Sequence, residues 1–228
     1  MKDLNVERED IKAMFTAGAH FGYSKTRRHP SAKKFIFGQK NKVDIIDLEK
    51  TADMLASAKE FIKGLAMGGK VVLFVGTKPE AKASVLMAAE SIGMPSVTER
   101  WVGGIITNFP EIKKRVARLI DLTAKKEAGE LDKYTKKERL LIDIEVAKME
   151  KNFSGIIAMK KIPDALVVID SKKEHIAVTE ARKSGIPVIA LVNTDCDMGD
   201  IDYPIIANDA STSSVSYFIN ELKGAYKI

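Results

Sequence analysis

The residues best suited to direct chemistry are cations near the amino terminus. The stretch Thr26–Lys40 holds five basic residues and no acid, and the acid-free window extends from Asp10 to Asp44. Cations bind phosphates, and planar rings can stack on unpaired bases. Aromatic residues alternate with these cations at Phe21, Tyr23, Phe35 and Phe37. The pattern favours RNA binding over a merely solvated charged face, and the candidate contacts are Lys25, Arg27, Arg28, His29, Lys33 and Lys34.

A second motif, "FVGTKPEAK" at 74–82, has the order strand, glycine, helix start that is found in phosphate-binding turns. It lacks both GxxxxGK[ST] and GxGxxG, whose glycines bring the backbone close to a phosphate. A tight turn before a capped helix is therefore the favoured interpretation. Nucleotide binding at Gly76–Lys78 is the weaker alternative.

A third motif is the acidic loop "NTDCDMGDIDYP" at 193–204, which follows a predicted strand. Carboxylates there could bind a divalent cation, and α/β sites commonly lie after strands. An EF-hand does not fit, because Gly199 falls at the fifth position and no Glu closes the loop. A solvated acidic loop is favoured, and a phosphate-ligand enzyme using Gly76–Lys78 and Asp195–Asp202 remains as the alternative of a different class.

Other catalytic chemistries find no support in the residue types. Cys196 is the single cysteine, which excludes a disulfide framework and a CxxC pair. The three histidines have neither metal-ligand nor triad-like spacing, and GxSxG is absent. We therefore expect no catalytic residue, no metal site and no cofactor, and the protein is predicted not to be an enzyme.

Length and charge set broad limits. The 228 residues suit one α/β domain with a small appendage, and the net charge of +6 is modest unless it is concentrated. The start "MKDLNVERED" has no apolar signal core, and no apolar run approaches the roughly 18 residues that span a membrane. The expectation is a cytoplasmic protein with no membrane partner.

Short β-branched runs alternate with helical patterns along most of the chain. Apolar strands separated by helices are typical of a parallel sheet that is covered on both faces. A capping residue followed three positions later by Glu marks a helix start, and four such pairs are predicted: Thr77 with Glu80, Asn108 with Glu111, Thr135 with Glu138, and Ser171 with Glu174. The predicted strands are 43–47, 70–76, 164–170, 186–192 and 203–207.

Residues 108–152 interrupt this alternation because they carry no strand signal. Apolar residues at helical spacing predict two helices that pack as an antiparallel hairpin. One stripe is formed by Phe109, Ile112, Val116 and Leu119, and the other by Leu140, Ile144 and Ala147. The rest of each helix is highly charged, so the hairpin is expected to project from a body made of 1–107 and 153–228.

Several of these segments, taken together, carry a resemblance. "HFG", "IIDL", "RWVGGIITNF" and "KEHIAVTEA" occur in order, and the chain resembles the bacterial-type small-subunit ribosomal protein S-two family over essentially its whole length. Tyr23 and His29-Pro30 depart from the family's common residues. The resemblance implies a flavodoxin-like, doubly wound parallel sheet with an inserted antiparallel two-helix coiled-coil hairpin.

The resemblance also implies a function and partners. It implies a structural constituent of the small ribosomal subunit that binds small-subunit ribosomal RNA and supports subunit assembly and translation. Neighbouring small-subunit proteins are expected partners, and ribosomal protein S-one is a candidate among them. The further candidate RNA contacts, at the hairpin and its junction with the body, are Arg100, Lys113, Lys114, Arg115 and Arg118.

Overall fold

The computed structural model describes residues 2–227, with side chains outside 2–8 and 132. The helices are α1 (Lys2–Thr16), α2 (Leu48–Met67), α3 (Pro79–Ser91), α4 (Phe109–Glu127), α5 (Lys136–Phe153), α6 (His175–Lys183) and α7 (Thr212–Tyr226). The strands are β1 (Phe21–Ser24), β2 (Ile36–Lys40), β3 (Val43–Ile46), β4 (Val72–Val75), β5 (Ser96–Val97), β6 (Ala165–Ile169), β7 (Val188–Val192) and β8 (Tyr203–Ile206). Within 2–227, none of the helices combines the length and apolarity needed to cross a membrane.

Five parallel strands form the central sheet in the order β5-β4-β6-β7-β8. The order corresponds to 2-1-3-4-5 when these strands alone are counted, which is consistent with a flavodoxin-like fold. Every residue of β4, β6 and β7 is buried, as expected for strands covered on both faces. The predicted strands at 70–76, 164–170, 186–192 and 203–207 are therefore confirmed, whereas the two-residue β5 was missed.

Alternate strand residues face two separate helical layers. Phe74 and Val167 pack with residues of α2, α3 and α7. Leu73 and Val168 pack on the opposite face, with α6, the segment 101–106 and the base of α4 and α5. Each fully buried Leu, Val or Phe side chain contributes about 1.5–3 kcal/mol to folding, so both layers stabilise the sheet.

The strand predicted at 43–47 exists, but its assignment to the parallel sheet was wrong. It is β3, the centre of a separate antiparallel sheet in the order β1-β3-β2. Asn41 and Lys42, which join β2 to β3, both have positive φ values of 50° and 66°. Two such residues make the tight hairpin turn whose twist matches antiparallel strands. The basic stretch is thus folded onto this small sheet.

One of the four predicted capping pairs is confirmed. Thr135 and Glu138 cap α5 reciprocally. The other three pairs form no capping bond. The helix starts at Thr77 and Ser171 were wrong, because α3 begins after Lys78 and α6 begins only at His175. The start at Asn108 is confirmed, since α4 begins directly after it, but its side chain donates and accepts no capping bond. Thr77 and Glu174 fail as caps because they bond to each other across the sheet edge. Thr77 and Glu174 are therefore engaged in a bond between residues distant in sequence instead of capping their own helices.

The region 108–152 contains the two predicted helices, α4 and α5, which pack against each other. Two ion pairs join them, Arg118 with Glu145 and Lys126 with Asp143. The stripe predicted on α4 is buried at Ile112, Val116 and Leu119. The stripe predicted on α5 was wrong: Leu140, Ile144 and Ala147 are exposed, and Val146, Met149 and Phe153 are buried instead. These buried residues join the body core, which displaces the apolar face of α5 from the expected one.

The loop that leads from the body into α4 is held by one buried carboxylate. Glu180 on α6 is 7% exposed and accepts hydrogen bonds from Trp101 Nε1 (3.1 Å) and from the backbone N–H groups of Gly104 (2.8 Å), Ile106 and Thr107 (both 3.1 Å). The Thr107 hydroxyl donates a fifth. Burial opposes ionisation of Glu180, but the donors outweigh burial and lower its pKa below the ordinary value. Glu180 is therefore a charged anchor for the loop.

We expect Glu180→Gln to destabilise the fold by about 3 kcal/mol at neutral pH, because the amide loses one acceptor oxygen and presents donors to donors. A lowered pKa means that the carboxylate stabilises the fold above its unfolded value of about 4.3, and that this contribution falls as pH drops through the folded pKa. The difference between wild type and variant should therefore shrink in acid. Urea unfolding followed by circular dichroism at several pH values measures it.

The control for this prediction is Glu90→Gln at an exposed position, which should change stability by less than about 0.5 kcal/mol. A Glu180→Gln protein as stable as wild type at neutral pH would contradict the anchoring role of this carboxylate.

Candidate nucleic-acid interface

The basic stretch presents most of its cations to solvent. Short 3-10 turns at Lys25–Arg27 and Pro30–Phe35 precede β2. Arg27 lies over the Tyr23 ring, 5.7 Å from its centroid, and Lys34 lies over Phe35 at 4.8 Å. Between Lys25 and Lys40, the cations that are exposed and form no ion pair with another described residue are Lys25, Arg27, Lys33, Lys34 and Lys40.

Arg28 and His29 are placed differently from their neighbours. Arg28 is largely buried and forms a two-pronged pair with the fully buried Asp44, with Nε–Oδ2 at 2.9 Å and Nη2–Oδ1 at 3.2 Å. His29 bonds through Nδ1 to Ser31 Oγ at 2.8 Å, and its backbone N–H donates to the Thr194 carbonyl. Both residues therefore fasten the basic stretch to the rest of the molecule.

Aromatic side chains enlarge the exposed surface beside these cations. Phe37 on β2 is 80% exposed, so its ring takes almost no part in the packing of the protein. Phe15 and Phe21 are also exposed. The His20 ring is stacked on Phe15, with centroids 4.3 Å apart, and lies 4.0 Å from the tilted ring of Phe21. Burial lowers the pKa of His20. Phe15 and His20 were missed by sequence reasoning, because Phe15 belongs to α1, whose spacing gave no sign of stacking on residue 20.

The second group of predicted cations lies on the first turns of α4 and on the loop that precedes it. Lys114 pairs with Glu111 and Arg118 with Glu145, so acids of α4 and α5 already neutralise them. Lys113, Arg115 and Arg100 are exposed and form no ion pair within the described part of the chain.

A cleft brings several of these residues together. Arg100, Arg115 and Arg118 line a concavity of about 580 Å³ together with Lys148 and Trp101. Lys113 is on the other side of α4, where it lines a smaller apolar pocket. Lys148 was missed because the predicted apolar stripe placed the outer face of α5 wrongly.

The crevice at the β4/β6 switch point, where open α/β sheets usually bind ligands, is filled by the protein itself. Lys78 Nζ lies 2.6 Å from both Asp170 Oδ2 and Asp209 Oδ2. Burial favours the neutral amine, but the two carboxylates outweigh it and raise the pKa of Lys78. Asn193 Nδ2 donates to the other Asp209 oxygen at 2.9 Å. An anionic phosphate would meet two carboxylates here, so the geometry gives no support to phosphate binding at Gly76–Lys78.

The carboxylates of the acidic loop each interact with a different partner and do not converge on one point. Asp195 pairs with Lys172, Asp200 pairs with Arg182, and Asp202 accepts from the Val188 N–H. Asp197 accepts from the Gly199 N–H. Among the described residues, no group of three His, Cys, Asp or Glu side chains is arranged to hold a metal ion. The four carboxylates point to four different partners, which is the arrangement of a structural loop.

We expect Lys78→Ala to cost about 3–5 kcal/mol of stability, because it leaves Asp170 and Asp209 without their counter-charge in a buried site. Adding Asp209→Asn should restore part of that loss by removing one of the two charges. The comparison variant is Lys82→Ala, which breaks a half-exposed pair with Glu99 and should cost at most about 1 kcal/mol. Urea unfolding of the four proteins tests this, and equal losses for both lysine variants would contradict it.

Known proteins are similar to this chain over most of its length. The family model described as "Ribosomal protein S2" matches residues 14–227. "Small ribosomal subunit protein uS2" of Sulfurimonas denitrificans is 45% identical over 215 residues, which cover 94% of this chain and 83% of the relative. The proteins of the same name from Mycolicibacterium paratuberculosis (43%; 94% of this chain, 78% of the relative) and Nocardia farcinica (45%; 90% and 72%) are similar in extent. The chain belongs to the ribosomal protein S2 family.

Proposed function

We propose that this protein is a structural constituent of the small ribosomal subunit, binds small-subunit ribosomal RNA and supports subunit assembly and translation. The observation that carries the proposal is the family match across residues 14–227. The exposed, acid-free cations of Lys25–Lys34 support it independently, because soluble surfaces normally mix both signs of charge. As a ribosomal constituent it would act in the cytoplasm and catalyse no reaction of its own.

The basic stretch is proposed to hold RNA phosphates. Lys25, Arg27, Lys33 and Lys34 provide the charges, whereas Arg28 and His29 keep the stretch attached to the body. Exposed aromatic rings next to the cations supply stacking surface for unpaired bases. At the hairpin, Arg100, Lys113 and Arg115 are the stronger candidates for phosphate contact, because Lys114 and Arg118 would have to exchange an acidic partner for the RNA.

Residues 108–152 are proposed to act as an inserted coiled-coil hairpin on a body of 1–107 and 153–228. The ion pairs between α4 and α5 and the buried α4 stripe support a paired arrangement. Leu140, Leu141 and Ile144 are each more than half exposed and lie within the first turns of α5. Such an apolar stripe on a charged helix favours contact with a neighbouring small-subunit protein, and ribosomal protein S-one is one candidate.

The direct test of the proposed function is sedimentation of the tagged protein from cell lysate. The protein should travel with small subunits and remain with them after a moderate salt wash. Recovery only at the top of the gradient, free of ribosomal RNA, would contradict the proposal, and a bound stoichiometric mononucleotide would revive the enzyme alternative.

We expect simultaneous change of Lys25, Arg27, Lys33 and Lys34 to Gln to weaken the salt dependence of ribosomal RNA binding. Each phosphate contact releases counterions and contributes about −0.7 to −0.9 to the log–log slope of affinity against salt. Loss of up to four contacts should flatten the slope by roughly 3. Filter binding across a salt series measures it, with circular dichroism to verify the fold.

The matched control removes four other exposed or half-exposed lysines, Lys63, Lys183, Lys223 and Lys227, and alters net charge equally. Its slope should stay close to that of wild type. If the two quadruple variants behave alike, only general charge is involved and the basic stretch is a solvated face.

We expect the distal hairpin to be dispensable for folding. Replacing residues 121–142 with a short Gly/Ser bridge keeps all buried residues of α4 and α5 that join the core and removes only the partly buried Leu122 and Ile142 from it. The buried residues kept are Ile112, Val116, Leu119, Val146, Met149 and Phe153. The shortened protein should unfold cooperatively at nearly the wild-type urea midpoint. Deletion of 109–152 should cost several kcal/mol because it removes those core residues. A distal deletion that is unfolded in buffer would show that the whole hairpin belongs to the core.

A further inference from the structure

The cleft between the loop Arg100–Gly103 and the helices α4, α5 and α6 is a concave surface lined by both apolar and cationic side chains. It encloses about 580 Å³ between the loop Arg100–Gly103, α4, α5 and the first turn of α6. Concave sites of this size that combine apolar walls with a few placed polar groups are the usual binding sites for small planar ligands.

The cationic wall is available for an anion. Arg100 lies on the loop, Arg115 on α4 and Lys148 on α5, and all three are exposed. None of them forms an ion pair with any residue whose side chain is described. Arg118 is held by Glu145 in a two-pronged pair, with Nε–Oε1 at 2.9 Å and Nη2–Oε2 at 3.0 Å, so this pair fixes one edge of the cleft.

The apolar wall is rigid. Trp101, Met149 and Phe153 are each less than a tenth exposed and belong to the body core. The Trp101 indole cannot rotate away, because its Nε1 donates to Glu180. Ile176 on α6 is 47% exposed at the cleft, which leaves an apolar surface open to whatever enters.

We propose that this cleft binds one unpaired nucleotide of RNA, with its base against the apolar wall and its flanking phosphates on Arg100, Arg115 and Lys148. The inference rests on the proposed function and specifies one recognition site within it. A polynucleotide carries a phosphate on each side of every base, so it meets cations on separate elements while a base faces the wall between them. A peptide would need acidic residues on both sides of an apolar one to do the same.

The shape of the cleft favours single-stranded over duplex RNA. A paired base is stacked inside the helix and cannot turn its face toward a wall recessed between two helices and a loop, whereas bases in loops and bulges can be splayed out. The predicted preference is therefore for unpaired RNA, and it is separate from the phosphate attraction of the basic stretch.

The single tryptophan of the chain, Trp101, lines the cleft, so its fluorescence lifetime reports occupancy in the intact protein. The probes are a single-stranded oligoadenylate of about ten nucleotides, a blunt duplex of the same strand length, and poly-glutamate as an acidic peptide. We expect saturable shortening of the lifetime by the single strand only. Arg115→Gln with Lys148→Gln should weaken this association about tenfold, and Ile176→Ser about threefold.

The matched controls are Lys136→Gln with Lys137→Gln and Ile162→Ser, exposed positions outside the cleft, and they should leave the response unchanged. A lifetime response to duplex as strong as to the single strand, a response to poly-glutamate instead of RNA, or equal effects of cleft and control variants would each overturn the proposal. Filter binding of ribosomal RNA on the same samples separates the outcomes: retained affinity without a lifetime response refutes only the cleft, whereas lost affinity refutes the proposed function itself.

Discussion

The Glu180 carboxylate is the interaction on which the geometry of the loop 101–107 and the start of α4 depends. Five donors from Trp101 to Thr107 converge on it, and their number explains why a buried acid keeps a lowered pKa. The loop bound by Glu180 determines where α4 begins and how Trp101 is oriented. Because Glu180 belongs to α6, that helix positions both the start of α4 and the cleft beside it. An anion surrounded by backbone N–H groups is rigid in a way that apolar packing alone is not.

A second buried charge, that of Lys78, fills the crevice in which open α/β sheets usually bind ligands. Lys78 occupies the β4/β6 switch point between Asp170 and Asp209, and Thr77 bonds to Glu174 beside it. The same turn that delivers phosphate-binding groups in related architectures here delivers a counter-ion to the protein's own carboxylates. With the crevice filled, the cations on protruding elements remain the groups that can meet an external polyanion.

The sequence predicted the parts of the fold that depend on local pattern. The strands β4, β6, β7 and β8 were recognisable because apolar runs of that length, separated by helices, suit a parallel sheet covered on both faces. The errors arose where residues distant in sequence determine the contacts. Thr77 and Glu174 bond to each other rather than capping their helices. The face of α5 that meets the core consists of Val146, Met149 and Phe153, which also have 3–4 spacing, and not of the predicted stripe. The strands β1 and β2 were missed because their stabilising partner β3 lies later in the chain and their composition is that of a basic loop.

The candidate interface was predictable in kind but not residue by residue. Charge composition singled out the stretch 25–34, yet the adjacent Arg27 and Arg28 are placed differently: Arg28 pairs with the buried Asp44, whereas Arg27 is exposed over the Tyr23 ring. Asp44, the acid at which the acid-free window ends, thus forms a buried ion pair with Arg28, a cation from within that window. Because Asp44 is fully buried, its charge anchors the stretch without appearing on the surface, and the remaining cations keep an undiluted positive field toward solvent. The buried position of Asp44 therefore explains both why the basic stretch is attached to the protein and why its other cations face solvent without an acid beside them.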